Sequence, residues 1–512
     1  MIRAIEPLPR GENPFPMHGI TRGPGGIARY DGLPASLPAM LRGFVERTPT
    51  AEAIAEAGGE RVTYRELWER AARVAGGLRA RGVSRGDRAA ICLPNGLAWV
   101  EAFFGTLLAG AVAVPVNTRF AQPEVDYVLA DSGSAFAFVP GDPLPDGAPY
   151  ACDDLAPDDL AGIFYTSGTT GFPKGAMTTH AAFLTNCENM LRSLQLPLAG
   201  GGALRTLISV PLFHVTGCNA QLLTVMYAGG ASVILPALDI GRLLRLVGEE
   251  QINFLVSVPA VYALAIANPA FATAEVSSVQ RVGYGGAPIA PALVHRIKAA
   301  FPQALAFNGF GMTEAASLMT SLPDGLAAEH ADSVGFAVPV LDLALDDVDP
   351  HSGAGELLAR GPNITIGYWN KPEATKAAFV DGWLRTGDVA KAAPNGLIYI
   401  VDRVKDMICR GGENVYCVEV ENALAGAPNV AEAAVIGVPD DVMGEKVGLV
   451  VVPVPGTTFD VEAVIASLRG TLADFKIPQF VAVRHTPLPR NPGGKVVKPL
   501  LRKETVWGPP LR

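Results

Sequence analysis

Residues 165–175 read Tyr-Thr-Ser-Gly-Thr-Thr-Gly-Phe-Pro-Lys-Gly. Gly168, Gly171 and Gly175 let the backbone curl so that N–H groups face inward, which makes a concave anion site. Thr166, Ser167, Thr169 and Thr170 add hydroxyl donors, and Lys174 adds a positive charge. This is chemistry suited to a polyphosphate. The stretch departs from a Walker A loop, which ends in Gly-Lys-Ser/Thr. Here Pro173 precedes Lys174 and Gly175 follows it.

Further stretches carry complementary chemistry. In Asn308-Gly309-Phe310-Gly311-Met312-Thr313-Glu314, an aromatic ring between glycines can stack on a base. Thr313 can donate to a phosphate oxygen, and Glu314 can ligate magnesium, a hard ion that prefers oxygen. Tyr284-Gly285-Gly286-Ala287-Pro288 has adjacent glycines that admit a flat ring close to the backbone. Asp388, after the turn Thr386-Gly387, has two carboxylate oxygens able to accept from two vicinal hydroxyls, as on a ribose. Arg403 offers a guanidinium for ribose or phosphate oxygens. The pair Gly411-Gly412 leaves room for a thin substrate such as a pantetheine arm. Cys417 has no obvious base beside it and reads as a buried structural thiol.

The elements that must position these groups follow from periodicity. Thr63-Tyr64-Arg65-Glu66 has capping-box spacing and opens a helical pattern through Leu67, Ala71, Val74 and Leu78. Apolar runs at 88–93, 111–116, 161–164, 205–210, 231–235, 253–258 and 281–284 read as strands, alternating with helical stretches such as 99–108. That alternation predicts an α/β fold with mostly parallel sheets. Short β-like runs over 335–400, for example 355–359 and 397–401, predict a β-rich subdomain. After Lys405, helices near 419–424 and 461–472 and strands at 431–438 and 446–454 predict a small α+β domain. The expected organisation is a large N-terminal domain over 1–404 and a small C-terminal domain over 405–512. Residues 1–35 read as an extended lead-in.

With 512 residues, 49% of them hydrophobic, the chain can bury several cores. A net charge of −9 argues against a nucleic-acid-binding surface. Six cysteines without a Cys-x-x-Cys pair suggest neither zinc nor a disulfide framework. The N-terminus lacks a signal-peptide core, and the apolar stretch at 106–116 is broken by Gly110 and Pro115 and too short to span a bilayer. A cytoplasmic protein with no integral membrane segment is expected; homodimerisation is left open.

Taken in order, these motifs closely resemble those of the acyl-adenylate-forming (AMP-binding) superfamily, which contains acyl- and aryl-CoA synthetases, luciferases and peptide-synthetase adenylation domains. The resemblance covers residues 40–500 and is nearest to the acyl-CoA synthetase branch. It implies ATP, Mg2+ and CoA as cofactor and co-substrates and a carboxylic acid as the group activated. It implies the 166–175 loop on the β- and γ-phosphates and the segment Gly285–Pro288 against adenine. Phe310 would stack on adenine where many relatives have tyrosine, Thr313 would meet the α-phosphate and Glu314 the Mg2+. Asp388 would meet the ribose. His214, in Pro211-Leu212-Phe213-His214, would gate the acyl pocket with Phe213 as a wall. Lys495, in Asn491-Pro492-Gly493-Gly494-Lys495, would be the adenylation lysine and Lys405 the hinge of a rotating C-terminal domain. Relatives commonly carry proline where Cys417 stands. Phe183, Phe213, Tyr284 and Met312 are candidate pocket residues. Their apolar character suits a fatty acid first, with an aryl acid as the alternative, and the absence of an acid near His214 disfavours amino acids. A carrier-protein thiol as acceptor and a non-catalytic nucleotide-binding regulator are the alternatives.

Overall fold

The structure, a computed structural model, describes residues 5–166, 173–196, 203–287, 289–410, 413–424, 427, 429–469, 471–490 and 496–511. Among these, the largest sheet has nine strands. Its middle is parallel: Leu305–Met312, Arg281–Gly285, Phe254–Ser257, Arg205–Ile208, Ala231–Ile234 and Glu52–Glu56 lie side by side in that order. Antiparallel strands close both edges, Ser317–Leu322 and Phe336–Ala337 on one side and Arg61–Thr63 on the other. A second sheet places Phe136–Phe138, Arg88–Ile91, Val112–Pro115 and Leu160–Thr166 in parallel and ends on the antiparallel Lys174–Thr179.

Helix Leu97–Leu108 is apolar apart from Glu101, which meets Arg70, and Thr106; it packs between these sheets, with Trp99 stacked on Phe103 at 5.2 Å. Helix Tyr64–Ala80 packs beside it and starts with the expected capping box between Thr63 and Glu66. A third sheet, wholly antiparallel, is built from Asp342–Asp346, Gly355–Arg360, Trp383–Ala392, Phe379–Val380 and Ile398–Arg403. It shares a core with the large sheet through Leu318, Met319, Leu357 and Ile398.

From Ile408 onward a separate sheet forms, with Val430–Asp440 and Gly444–Pro453 as its long hairpin. Helices Cys417–Ala423 and Val461–Arg469 cover it, and Val420, Val435, Leu449 and Leu468 fill its own core. The lead-in is more ordered than its composition predicts. Arg10 donates to the Leu341 carbonyl at 2.8 Å, Asn13 to that of Ala337 at 2.7 Å, and Phe15 packs edge-on to Phe336. No helix among the described residues is long and apolar enough to cross a membrane.

Candidate active site

Several signature segments sit at the carboxyl ends of parallel strands, where α/β sheets open their ligand crevices, while Asp388 and Arg403 lie on the antiparallel third sheet. Thr166 ends one such strand, Gly285 another and Met312 a third, and His214 follows Arg205–Ile208. Thr166 pairs with Lys174 across a hairpin, and its hydroxyl donates to the Lys174 carbonyl at 3.4 Å. The tip of that hairpin, with Ser167, Gly168, Thr169, Thr170 and Gly171, lies outside the described residues.

A chain of contacts joins this hairpin to Glu314. Lys174 Nζ sits 4.5 Å over the ring of Tyr368, and the Tyr368 hydroxyl donates to Glu314 Oε1 at 2.7 Å. Glu314 and Tyr368 are both buried. Burial, and then the Glu314 carboxylate, push the Tyr368 phenol far above its ordinary range, so it stays a donor. Backbone bonds hold the ring in place: Met177 N donates to Gly367 O at 2.9 Å, Trp369 N to Gly175 O at 2.8 Å and Thr365 N to Glu314 O at 2.7 Å. Residues 365–369 thus stitch the edge of the second sheet to the turn that carries Thr313 and Glu314. Sequence reasoning missed Tyr368; an aromatic pair directly after Gly367 is the signal that could have found it.

In the segment expected beside adenine, Tyr284 pairs with Asn308 and Gly285 with Gly309 on adjacent parallel strands. A Cβ at Gly285 would lie 2.0 Å from the Gly309 carbonyl, and one at Gly311 would lie 1.5 Å from that of Ser317. Strand packing therefore demands these glycines, in addition to any flat ring beside them. Gly286, at φ +74°, and Ala287 form an exposed turn; Pro288 lies outside the described residues. The Asn308 amide donates to Ser333 O at 3.1 Å, which ties the strand to the chain beside it. Phe310 and Met312 are half-buried against the shared core. Asp388 and Arg403 face each other in register on neighbouring strands, with Arg403 Nε 2.6 Å from Asp388 Oδ1. Asp388 is buried and Arg403 partly exposed, so the pair presents a carboxylate edge and a guanidinium together.

At the expected acyl gate, the Phe213 and His214 rings lie 4.6 Å apart. Asn95 clamps their turn from both sides, donating to Val210 O at 2.9 Å and accepting from Leu212 N at 2.8 Å. The expected pocket does not assemble from all four apolar candidates. Phe183 is fully buried edge-on to Phe164 in one core. Tyr284 belongs to another, with Tyr262, Val294 and Phe301. Both side chains are buried, in two different clusters.

Lys405 sits in an exposed turn, and its carbonyl accepts from Arg502 at 3.4 Å. Beside it Asp402 is fully buried and accepts from its neighbour Arg403 N at 2.7 Å and from Cys417 N. The Cys417 thiol donates to Asp406 O at 2.9 Å and is pushed up by burial, which fits a structural thiol. Gly411, Gly412 and Lys495 lie outside the described residues.

Comparison with known proteins identifies the family of this fold. The profile of the AMP-binding enzyme family matches residues 41–154 and 139–369, and that of the AMP-binding enzyme C-terminal domain matches 419–495. A feruloyl-CoA synthase from Amycolatopsis is 40% identical, with 89% of this chain and 96% of that one covered. A long-chain-fatty-acid–CoA ligase, FadD13, from Mycobacterium tuberculosis is 34% identical, with 91% and 97% covered. Among solved structures, ATP-bound MatB from Rhodopseudomonas palustris superposes with a TM-score of 0.82 at 31% identity, covering 92% of this chain and 99% of that one. The o-succinylbenzoate coenzyme A synthetase of Bacillus subtilis, in complex with ATP and magnesium ion, gives 0.81 at 28% identity, covering 90% and 99%. The motifs, their placement at the strand ends and these likenesses converge: the chain belongs to the AMP-binding enzyme family, in its branch of ATP-dependent, AMP-forming acyl-CoA ligases.

Proposed function

We propose that this ligase activates an apolar monocarboxylic acid, with an aryl acid of the hydroxycinnamate kind ahead of a fatty acid. The Lys174–Tyr368–Glu314 chain carries the reading of the chemistry. It joins a phosphate-loop cation to a fixed, buried carboxylate. The order of acids is supported by the greater identity to the feruloyl-CoA synthase than to the fatty-acid ligase. The buried Phe213 beside His214 suits an apolar chain or ring.

In the first half-reaction the acid's carboxylate attacks the α-phosphorus of ATP, and pyrophosphate leaves. The work is alignment and charge neutralisation. Lys174 and the hydroxyls of 166–170 hold the departing phosphates, Thr313 donates to the α-phosphate, and Lys495 bridges it to the carboxylate. Phe310 stacks on adenine beside Gly285–Pro288, Asp388 accepts from the ribose, and Arg403 orients that carboxylate. Glu314 fits Mg2+: its Oε1 is held by Tyr368, leaving Oε2 for a hard cation. Among the described residues no three His, Cys, Asp or Glu side chains group to hold a metal. Glu314 would therefore share Mg2+ with the nucleotide phosphates, whose charge the ion neutralises.

In the second half-reaction the CoA sulfur attacks the acyl carbon and AMP leaves. The domain beyond Lys405 rotates about that residue, withdrawing Lys495 and bringing Gly411 and Gly412 to the pantetheine arm. The domain limits 1–404 and 405–512, and a cytoplasmic location, belong to this proposal.

The test is pyrophosphate release from Mg·ATP across ferulate, other aryl acids, fatty acids, dicarboxylates and amino acids, with CoA present or absent. Acid-dependent AMP and acyl-CoA, strongest with hydroxycinnamates, is the expected result. Turnover confined to dicarboxylates or amino acids would overturn the assignment of the acid. Adenylate without thioester would move the acceptor to a carrier protein.

A further inference from the structure

We infer that three buried asparagines, Asn186, Asn219 and Asn363, are positioning residues that fix the Glu314 carboxylate by holding a strained turn behind it. The inference rests on the reading of Glu314 given above. After Glu314 the chain reverses through Ala316 at φ 53° and Ser317 at φ 124°. Two consecutive non-glycine residues in that half of the map persist only where their surroundings over-determine them.

The surroundings here are amides from three separate elements. Asn219, on the π-helix Thr216–Leu223, donates to Ala316 O at 2.6 Å. Asn363, just before the Tyr368 segment, donates to both Ala315 O and Leu318 O, at 3.0 and 3.1 Å. Asn186, on helix His180–Ser193, accepts from Leu318 N at 2.9 Å. All three side chains are fully buried.

Two features separate positioning from plain stability. Asn186 Nδ2 and Asn363 Oδ1 have no hydrogen-bond partner, so each of these amides leaves one buried polar atom unsatisfied. That is a cost the site bears in order to pair the backbone groups of Ala315, Ala316 and Leu318. The π-helix is an uncommon conformation that clusters at functional sites, and it starts two residues after His214. It links the turn behind Glu314 to the acyl-side turn. If Ala316 and Ser317 relax, Glu314 moves off the Tyr368 hydroxyl, and a shift of about 1 Å in a positioned group can cost about a hundredfold in rate.

The experiment measures both half-reactions of the full-length chain for Asn219→Leu, Asn219→Ser and Asn363→Ser, with Glu314→Gln alongside. Acid-dependent ATP–pyrophosphate exchange reports adenylation, and thioester formation from supplied acyl-adenylate reports the second step. Calorimetry gives ATP affinity with and without Mg2+. For every variant that keeps its cooperative melt, exchange should fall about ten- to a hundredfold in kcat, with the KM for acid little changed. Thioester formation should stay within about threefold, and the tightening of ATP by Mg2+ should shrink. Equal losses in both half-reactions, or undiminished exchange, would overturn the inference. If all the asparagine variants lose the melt, the three residues are merely structural and the inference also falls. Should Glu314→Gln leave the Mg2+ effect on ATP binding intact, the reading of Glu314 fails on its own, separately from the asparagines.

Discussion

Two regions of the molecule hold a buried carboxylate in opposite ways. Behind Glu314 the backbone is tied by neutral amides from three elements. Beside Lys405, Asp402 is buried near other charges: Lys498 pairs with Glu421 at 2.8 Å, and both act on Asp402. Neutral amides carry no ionic desolvation penalty and do not titrate, so they suit a frame that keeps one geometry. Asp402 instead accepts from Cys417 N across the Lys405 turn, and its charged neighbours Lys498 and Glu421 also lie beyond that turn, so its surroundings change when that part of the chain moves. The difference matches the proposed division of labour, in which the Glu314 side stays fixed and the chain beyond Lys405 turns.

The largest effect should come from the turning side. Lys495→Ala should lower acid-dependent pyrophosphate exchange by on the order of 10²–10³, the usual cost of losing one transition-state donor. Thioester formation from supplied acyl-adenylate should persist. Parallel losses in both assays would show that Lys495 serves the whole fold of the site and would erase the contrast. On the fixed side, Tyr368→Phe deletes only the hydroxyl that Glu314 accepts. A hydrogen bond to a charged group contributes about 1.5–3 kcal/mol, so exchange should fall about ten- to a hundredfold. The loss should be partly recovered at high Mg2+; a variant indistinguishable from the parent would mean that Tyr368 does not orient Glu314. Lys405→Pro tests the hinge alone. Fixing φ there should slow thioester formation roughly tenfold while sparing exchange, the reverse of Lys495→Ala. If exchange falls instead, the pivot lies elsewhere.

How much of this was legible in the sequence depended on whether a feature is local. The strand 281–284 and the Thr63–Glu66 cap were readable, because period and capping spacing are properties of neighbours along the chain. Strand Leu305–Met312 was read only as a motif, since Asn, Phe and three small residues hide its alternation. The aromatic pair after Gly367 marks Tyr368 in the sequence, but the three asparagines acquire meaning only from tertiary proximity; Asn363 and Leu318 are 45 residues apart. Phe183 and Tyr284, expected at the pocket, sit in two buried clusters. An apolar side chain looks the same in a core as in a pocket, and only the strand or helix face it occupies separates the two.

The finest test of the contrast is pH. Burial raises the Asp402 carboxyl from its ordinary range to about 6, with Lys498 only partly offsetting it. An acid whose folded pKa is raised binds its proton more tightly when folded. Below the unfolded value, near 3.8, both states are protonated and the group is neutral in the balance. Between there and about 6 the folded state holds more protons, so stability falls as pH rises, and above that window the penalty stays constant. From pH 5 to 7.5 this one group should lower the parent's unfolding free energy by about 1.4 kcal/mol. Asp402→Asn cannot titrate, so its unfolding free energy minus the parent's should rise by that amount across the same step, in denaturant titrations at the two pH values. Asn363→Ser, on the fixed side, changes no titrating group, and its difference from the parent should stay flat. A flat line for Asp402→Asn as well would mean that its carboxylate is solvated in the folded protein, and the two regions would then not differ in how they hold their charge.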